Sequence, residues 1–135
     1  MNKILLTIGG IINLLAAAMH VSMGLSPYWG ETLSCLSADN LGIMYTLNIH
    51  VAFTCLIFAC LSLFFRKDLL STGAGRAVTA GIALFWILRL INQIIFYGIA
   101  SPGITFWVIV CLIVALIYAF PTVGKRRTVF TPTVS

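Results

Sequence analysis

The chain has 135 residues, of which 61% are hydrophobic and 8% charged, with a net charge of +5. Soluble domains run at about 45–50% apolar and about 25% charged. This composition excludes an ordinary cytosolic enzyme, a disordered tail and a soluble nucleic-acid binder, and it indicates an integral membrane protein.

The charges punctuate the chain rather than spread over it. Residues 4–30, 40–65 and 90–124 carry none, and each stretch exceeds the roughly 20 apolar residues that span a hydrocarbon core. The last stretch is interrupted at Ala100-Ser101-Pro102-Gly103, which reads as a turn. Counting back from it to Arg76 gives a further span that contains Arg89. Four spans result: 4–25, 42–65, 77–99 and 103–122. Backbone groups in lipid must satisfy one another, so the spans are predicted helices of one all-α four-helix bundle. The alternation of a transmembrane strand, about 9–11 residues long, is absent. Residues 1–135 thus make a single integral membrane domain ending in a short basic tail, 123–135.

The first span is read as retained, not as a cleaved signal. Its apolar run is longer than the about 7–15 residues of a signal core, and Ala16-Ala17-Ala18 lies mid-span. With four spans both termini share one side. That side holds Lys3, Arg66, Lys67, Arg76, Lys125, Arg126 and Arg127, while the other holds only Glu31 and Asp39. The positive-inside rule then expects both termini in the cytoplasm. Anionic lipid accounts for the basic balance. Lys125-Arg126-Arg127 is too short, and too free of interleaved aromatics, for nucleic acid.

The connections follow in order. Ser26 to Leu41 is the longest loop, with Pro27, Tyr28 and Trp29 at the depth where aromatic rings anchor, and Asp39 or Asn40 able to cap the second helix. Arg66 to Arg76 is a basic, Gly-rich connection in which Asp68 can pair with Lys67 or Arg66. The Ser-Pro-Gly turn makes the last two helices antiparallel neighbours. Cys35 stands alone on the outer side. Cys55, Cys60 and Cys111 read as small core residues, and no Cys-x-x-Cys is present.

Polar groups inside a bilayer are costly unless partnered, so they are the informative residues. The first helix offers Asn13 and His20. The second offers Tyr45, Asn48 and His50, and the third Arg89, Asn92, Gln93 and Tyr97. The fourth offers little beyond Thr105 and Tyr118. At about 1.5 Å per residue, His20, His50, Arg89 and Gln93 lie at or above the midplane on the outer side. Helical spacing puts Asn13, Ala16, Ala17, His20 and Gly24 on one stripe, and Trp86, Arg89, Gln93, Phe96 and Tyr97 on another. Tyr45, Asn48, Ala52, Cys55, Ala59 and Ser62 form a stripe of small and polar residues, the expected interior face of the second helix. His50 is about 200° from Asn48 around that helix.

Arg89 carries the most weight. A guanidinium near the midplane costs about 2.5–3.5 kcal/mol on insertion scales and needs acceptors, yet no Asp or Glu lies within any of the four spans. Trp86, one turn earlier, is a candidate cation–π partner. Arg89, Gln93, His20, Asn48, Trp86 and Asn13 form the candidate ligand-binding set. The alternative is that they only fix helix packing. His20 and His50 are the one pair able to ligate a b-type haem, although the Asn48 stripe argues against a shared cavity. Met19, His20, Met23 and Met44 gather soft ligands suited to Cu(I), but methionine is common filler in apolar helices and no metal site is expected. No catalytic constellation appears, and an enzyme is not the expected reading. The intramembrane carboxylate of proton-coupled small multidrug exporters is missing.

Phe85-Trp86-Ile87-Leu88-Arg89-Leu90-Ile91-Asn92-Gln93 resembles a stretch in the third span of a group of small four-helix bacterial inner-membrane proteins, in which a His closes the first span. The matching residues here are Trp86, Arg89, Gln93 and His20, and the resemblance covers the first three helices. It implies fold and location, and no activity. The leading expectation is a non-enzymatic protein that binds or transports a small polar or anionic ligand in an outer-half intramembrane cavity. The alternatives are an accessory or structural subunit, as a homo-oligomer or in a larger membrane complex, and a haem- or quinone-linked electron carrier.

Overall fold

A computed structural model describes residues 2–123 as six helices: α1 (Asn2–Leu25), α2 (Pro27–Thr32), α3 (Ala38–Phe64), α4 (Arg66–Ser71), α5 (Gly73–Tyr97) and α6 (Pro102–Val123). No strand occurs among the described residues. The basic tail with Lys125, Arg126 and Arg127 lies outside them. Four helices are long and apolar enough to cross a membrane: α1, α3, α5 and Pro102–Pro121 of α6. They correspond to the four sequence-predicted spans. Ile4, Leu15, Phe53, Leu84, Ile95 and Leu116 are among the large apolar side chains turned outward, the arrangement of a bundle whose solvent is hydrocarbon.

The helix starts differ from expectation for one reason, capping. α3 begins at Ala38, not at 42, because Ser37 is its N-cap and accepts from the Asn40 amide at 3.4 Å. Asp39 instead sits in the first turn, where a carboxylate meets the positive end of the helix dipole. α5 begins at Gly73 because Thr72 caps it, accepting from the Gly75 amide at 2.8 Å. The basic connection is therefore mostly helical. In it Arg66 donates to Thr7 Oγ1 at 2.7 Å, fastening the start of α4 to the start of α1. The expected loop 26–41 likewise holds a short helix, with Pro27 at its first position. α5 stops at Gly98, whose φ of +69° is open to glycine at no steric cost. The chain then turns into Pro102, with Ser101 Oγ accepting from the Ile104 amide.

Packing is uneven. α1 lies along α3, α5 lies along α6, and α1 also packs on α6. α3 and α5 belong to different hairpins and are not a closely packed pair. The apolar core (Leu6, Leu69, Ile82, Trp86, Val114 and Tyr118 among others) lies between α1, α4, α5 and α6. These positions fall in the half of the bundle nearer α4. The predicted interior stripe of α3 is observed, with Asn48, Ala52, Cys55, Ala59 and Ser62 all buried. Cys60 departs from expectation. It is exposed on the outer surface of α3, whereas Cys55 and Cys111 are buried.

One polar network ties all four long helices together. Asn13 Nδ2 donates to the Gly9 carbonyl at 2.8 Å and to Tyr118 Oη at 3.0 Å. Its Oδ1 accepts from Trp86 Nε1 at 3.3 Å. Tyr118 Oη and Ser62 Oγ share a 2.6 Å bond. Tyr118 is fully enclosed, and its ring fits because residue 9 is glycine: a Cβ there would stand 2.8 Å from the ring carbons. Among the described residues every buried side-chain nitrogen or oxygen has a partner, which low-dielectric burial demands.

Candidate functional site

Above this core, toward α2, the bundle opens. A cavity of about 720 Å³ is bounded by α1, α2, α3 and α5, within the about 300–1,000 Å³ typical of small-molecule sites. Its polar lining comes from His20 on α1, Trp29 on α2, Asn48 on α3, and Arg89, Asn92 and Tyr97 on α5. Arg89 is the only charged side chain among the lining residues.

Helical spacing sets the α5 wall. Arg89 and Gln93, four residues apart, stand one above the other, and Arg89 Nη1 donates to Gln93 Oε1 at 2.9 Å. Gln93 is buried, Arg89 half-buried. An amide oxygen is a neutral acceptor, so Gln93 aims the guanidinium without cancelling its charge. None of the three acids of the chain forms an ion pair with Arg89 among the described residues. Of the five N–H groups that a guanidinium carries, that bond occupies one.

The opposite wall is set by a reciprocal pair. Asn48 Nδ2 donates to the His20 carbonyl at 2.8 Å, and Asn48 Oδ1 lies 2.7 Å from His20 Nδ1. A backbone carbonyl only accepts, so the amide nitrogen must face it. The amide oxygen therefore faces the imidazole, and Nδ1 must carry the proton. In the neutral ring the lone pair then resides on Nε2, to which no partner is bonded among the described residues. The site thus combines a fixed cation, amide groups and an imidazole acceptor on a largely apolar wall. It can hold a negatively charged or acceptor-rich group, and it can accept a hydrogen bond through Nε2.

The predicted set is divided. Arg89, His20 and Asn48 line one cavity, and Gln93, which does not line it, accepts from Arg89 one turn along α5. Trp86 and Asn13 do not line it; they are bonded to each other in the scaffold network. Trp86 donates its indole N–H to Asn13 and meets Phe85 in a T-shaped contact with centroids 5.9 Å apart, and it makes no cation–π contact with Arg89 among the described residues. His20 and His50 are not brought together. His50 is exposed on α3, with Nδ1 bonded to the Thr46 carbonyl at 2.7 Å, as its angular separation from Asn48 requires. Among the described residues no group of three or more His, Cys, Asp or Glu could hold a metal ion.

Sequence reasoning missed Tyr118 as the centre of the scaffold network and Trp29 as a cavity residue. Trp29 meets Tyr45 edge to face, with centroids 5.1 Å apart. An aromatic in the loop and an aromatic two turns into the next helix were the signal for that pair. Comparison with protein-family models, curated proteins and solved structures finds no match to this chain.

Proposed function

We propose that the chain is an integral protein of a bacterial inner membrane, with both termini in the cytoplasm, whose cavity binds or transports a small polar or anionic ligand. The orientation rests on the bases: Lys3, Arg66, Lys67 and Arg76 fall at the α4 end, and Glu31 and Asp39 at the α2 end. On this orientation the cavity lies in the outer half of the bilayer. One observation carries the functional reading. Arg89 is held by a neutral amide and faces a cavity with no protein carboxylate to meet it. A half-buried cation of that kind is a site for an anion.

The test uses 4-bromobenzoate, an anion whose bromine quenches tryptophan, with 4-bromobenzamide as its uncharged counterpart. In nanodiscs the anion should quench wild-type fluorescence through Trp29 saturably, and the amide should not. Arg89→Leu should weaken the anion at least tenfold while retaining helical circular dichroism, and Arg89→Gln serves if the leucine variant does not fold. The reading fails if the folded variants respond as the wild type does.

A second reading, a subunit that docks on another membrane chain or a second copy, is favoured by His50. Its ring is exposed midway along an apolar helix, where lipid offers it no partner. Purification as a stable monomer in mild detergent, with no associated chain, overturns that reading.

A further inference from the structure

The polar and apolar walls of the cavity are segregated. His20, Asn48, Arg89 and Asn92 supply the polar side, while Leu47, Val51, Leu88 and Phe96 are among the residues forming the rest. At the core end of the cavity Phe58 of α3 and Phe85 of α5 meet edge to face with centroids 5.2 Å apart. At the other end stands Trp29, braced by Tyr45. Between these two aromatic pairs α3 and α5 are not closely packed. The residues flanking the gap are turned outward: Leu47 is 56% exposed, Leu88 59% and Phe96 76%. All three lie in helices that cross the hydrocarbon, so the cavity has a mouth on its side, facing lipid acyl chains.

We infer that the ligand is a single-chain anionic amphiphile that enters sideways from the bilayer between α3 and α5, its acid head reaching Arg89 and its apolar chain lying in the mouth. The inference rests on the anion-binding reading above and adds the tail and the route. Through this lateral mouth a water-soluble anion would have to cross apolar surface. An amphiphile dissolved in the leaflet is already beside it. The chain gains little by moving from lipid to the mouth, because both are equally apolar. Selectivity therefore lies with the head at Arg89, while the chain concentrates the ligand in the bilayer by about fourfold per methylene.

The experiment uses full-length protein in nanodiscs and a ten-carbon carboxylic acid with a diazirine midway along its chain. Photolysis should label the Leu47–Val51 and Leu88–Phe96 segments in preference to the outward residues Phe53 and Leu84. Excess decanoate should suppress this labelling, decanol should not, and Arg89→Gln should reduce it at least tenfold. Across unlabelled carboxylates of four to ten carbons, the Arg89-dependent displacement of 4-bromobenzoate should strengthen about fourfold per methylene. If 4-bromobenzoate binds through Arg89 but chain length has no effect, the sideways amphiphile is wrong and the anion site stands. If neither probe depends on Arg89, both readings fall. Labelling that decanol suppresses as well as decanoate means partition into lipid alone and overturns the inference.

Discussion

Replacing Tyr118 with Phe removes one oxygen from a ring that has no exposed surface. That oxygen accepts from Asn13 of α1 at 3.0 Å and shares a 2.6 Å bond with Ser62 of α3. The substitution therefore deletes two interhelical hydrogen bonds at once. Ring volume is unchanged, so no cavity cost is added. Interhelical hydrogen bonds in membrane proteins average about 0.6 kcal/mol and reach about 1.7 kcal/mol. The expected loss is then about 1.2 kcal/mol, with a ceiling of about 3.4 kcal/mol. Reversible unfolding in mixed micelles of rising denaturing-detergent fraction, followed by circular dichroism, measures it. Ser62→Ala removes one of the same two bonds, so the double variant should fall short of additivity by about 0.6 kcal/mol. A Tyr118→Phe loss below about 0.3 kcal/mol, or a fully additive cycle, would refute the network as a source of stability. 4-Bromobenzoate binding should be unaffected, because Tyr118 does not line the cavity.

Gly9→Ala sets two effects of opposite sign against each other. Helix propensity alone favours alanine by about 1 kcal/mol, whereas the new Cβ would stand 2.8 Å from a Tyr118 ring that is pinned by hydrogen bonds. Overpacking of about 1–3 kcal/mol should win, and the same unfolding assay would contradict this by finding the variant more stable than wild type. Nitrogen-15 spectra of histidine-labelled protein should show both neutral imidazoles protonated on Nδ1, because each Nδ1 faces an oxygen that only accepts. Asn48→Ala should release that preference at His20 and leave His50 unchanged, and an Nε2–H form of His20 in the wild type would contradict the assignment. Cys35, exposed in the α2–α3 connection, should react with a membrane-impermeant maleimide added outside intact cells. Protection there, with reaction only after lysis, would reverse the proposed orientation.

Sequence periodicity read the fold well where one signal stood alone. In α3 small and polar residues recur at helical spacing over about five turns, and five of that stripe are buried. Tyr118 was illegible for the converse reason. Tyr118 stands thirteen residues from Thr105 across an apolar run and makes no stripe with it, and its partners lie on two other helices. Asn13 and His20 share a face of α1, so spacing grouped them. Spacing fixes direction around an axis and says nothing of what stands opposite at each level. At the level of Asn13 the bundle is closed by Tyr118 and Trp86. At the level of His20 it is open. The capping residues Ser37 and Thr72 were legible in principle, since each precedes a helix and accepts from an amide three residues on.

The contrast between the two levels also bears on Arg89. Where polar side chains only fix packing in this protein, their capacity is consumed: Asn13 uses both amide hydrogens and its oxygen on three neighbours. An arginine recruited for the same purpose would spend its donors on carbonyls of adjacent helices. Arg89 makes one hydrogen bond among the described residues, to the next turn of its own helix, so it ties α5 to no other element. Removing it should therefore leave the bundle intact, and relieve the about 2.5–3.5 kcal/mol that a central arginine costs on insertion scales. On the proposed anion-binding reading, a residue that disfavours insertion and joins no helices contributes through what it meets in the cavity. The Arg89→Gln variant separates the two roles, since a packing role predicts lost stability with no change in anion response, and a binding role predicts the reverse.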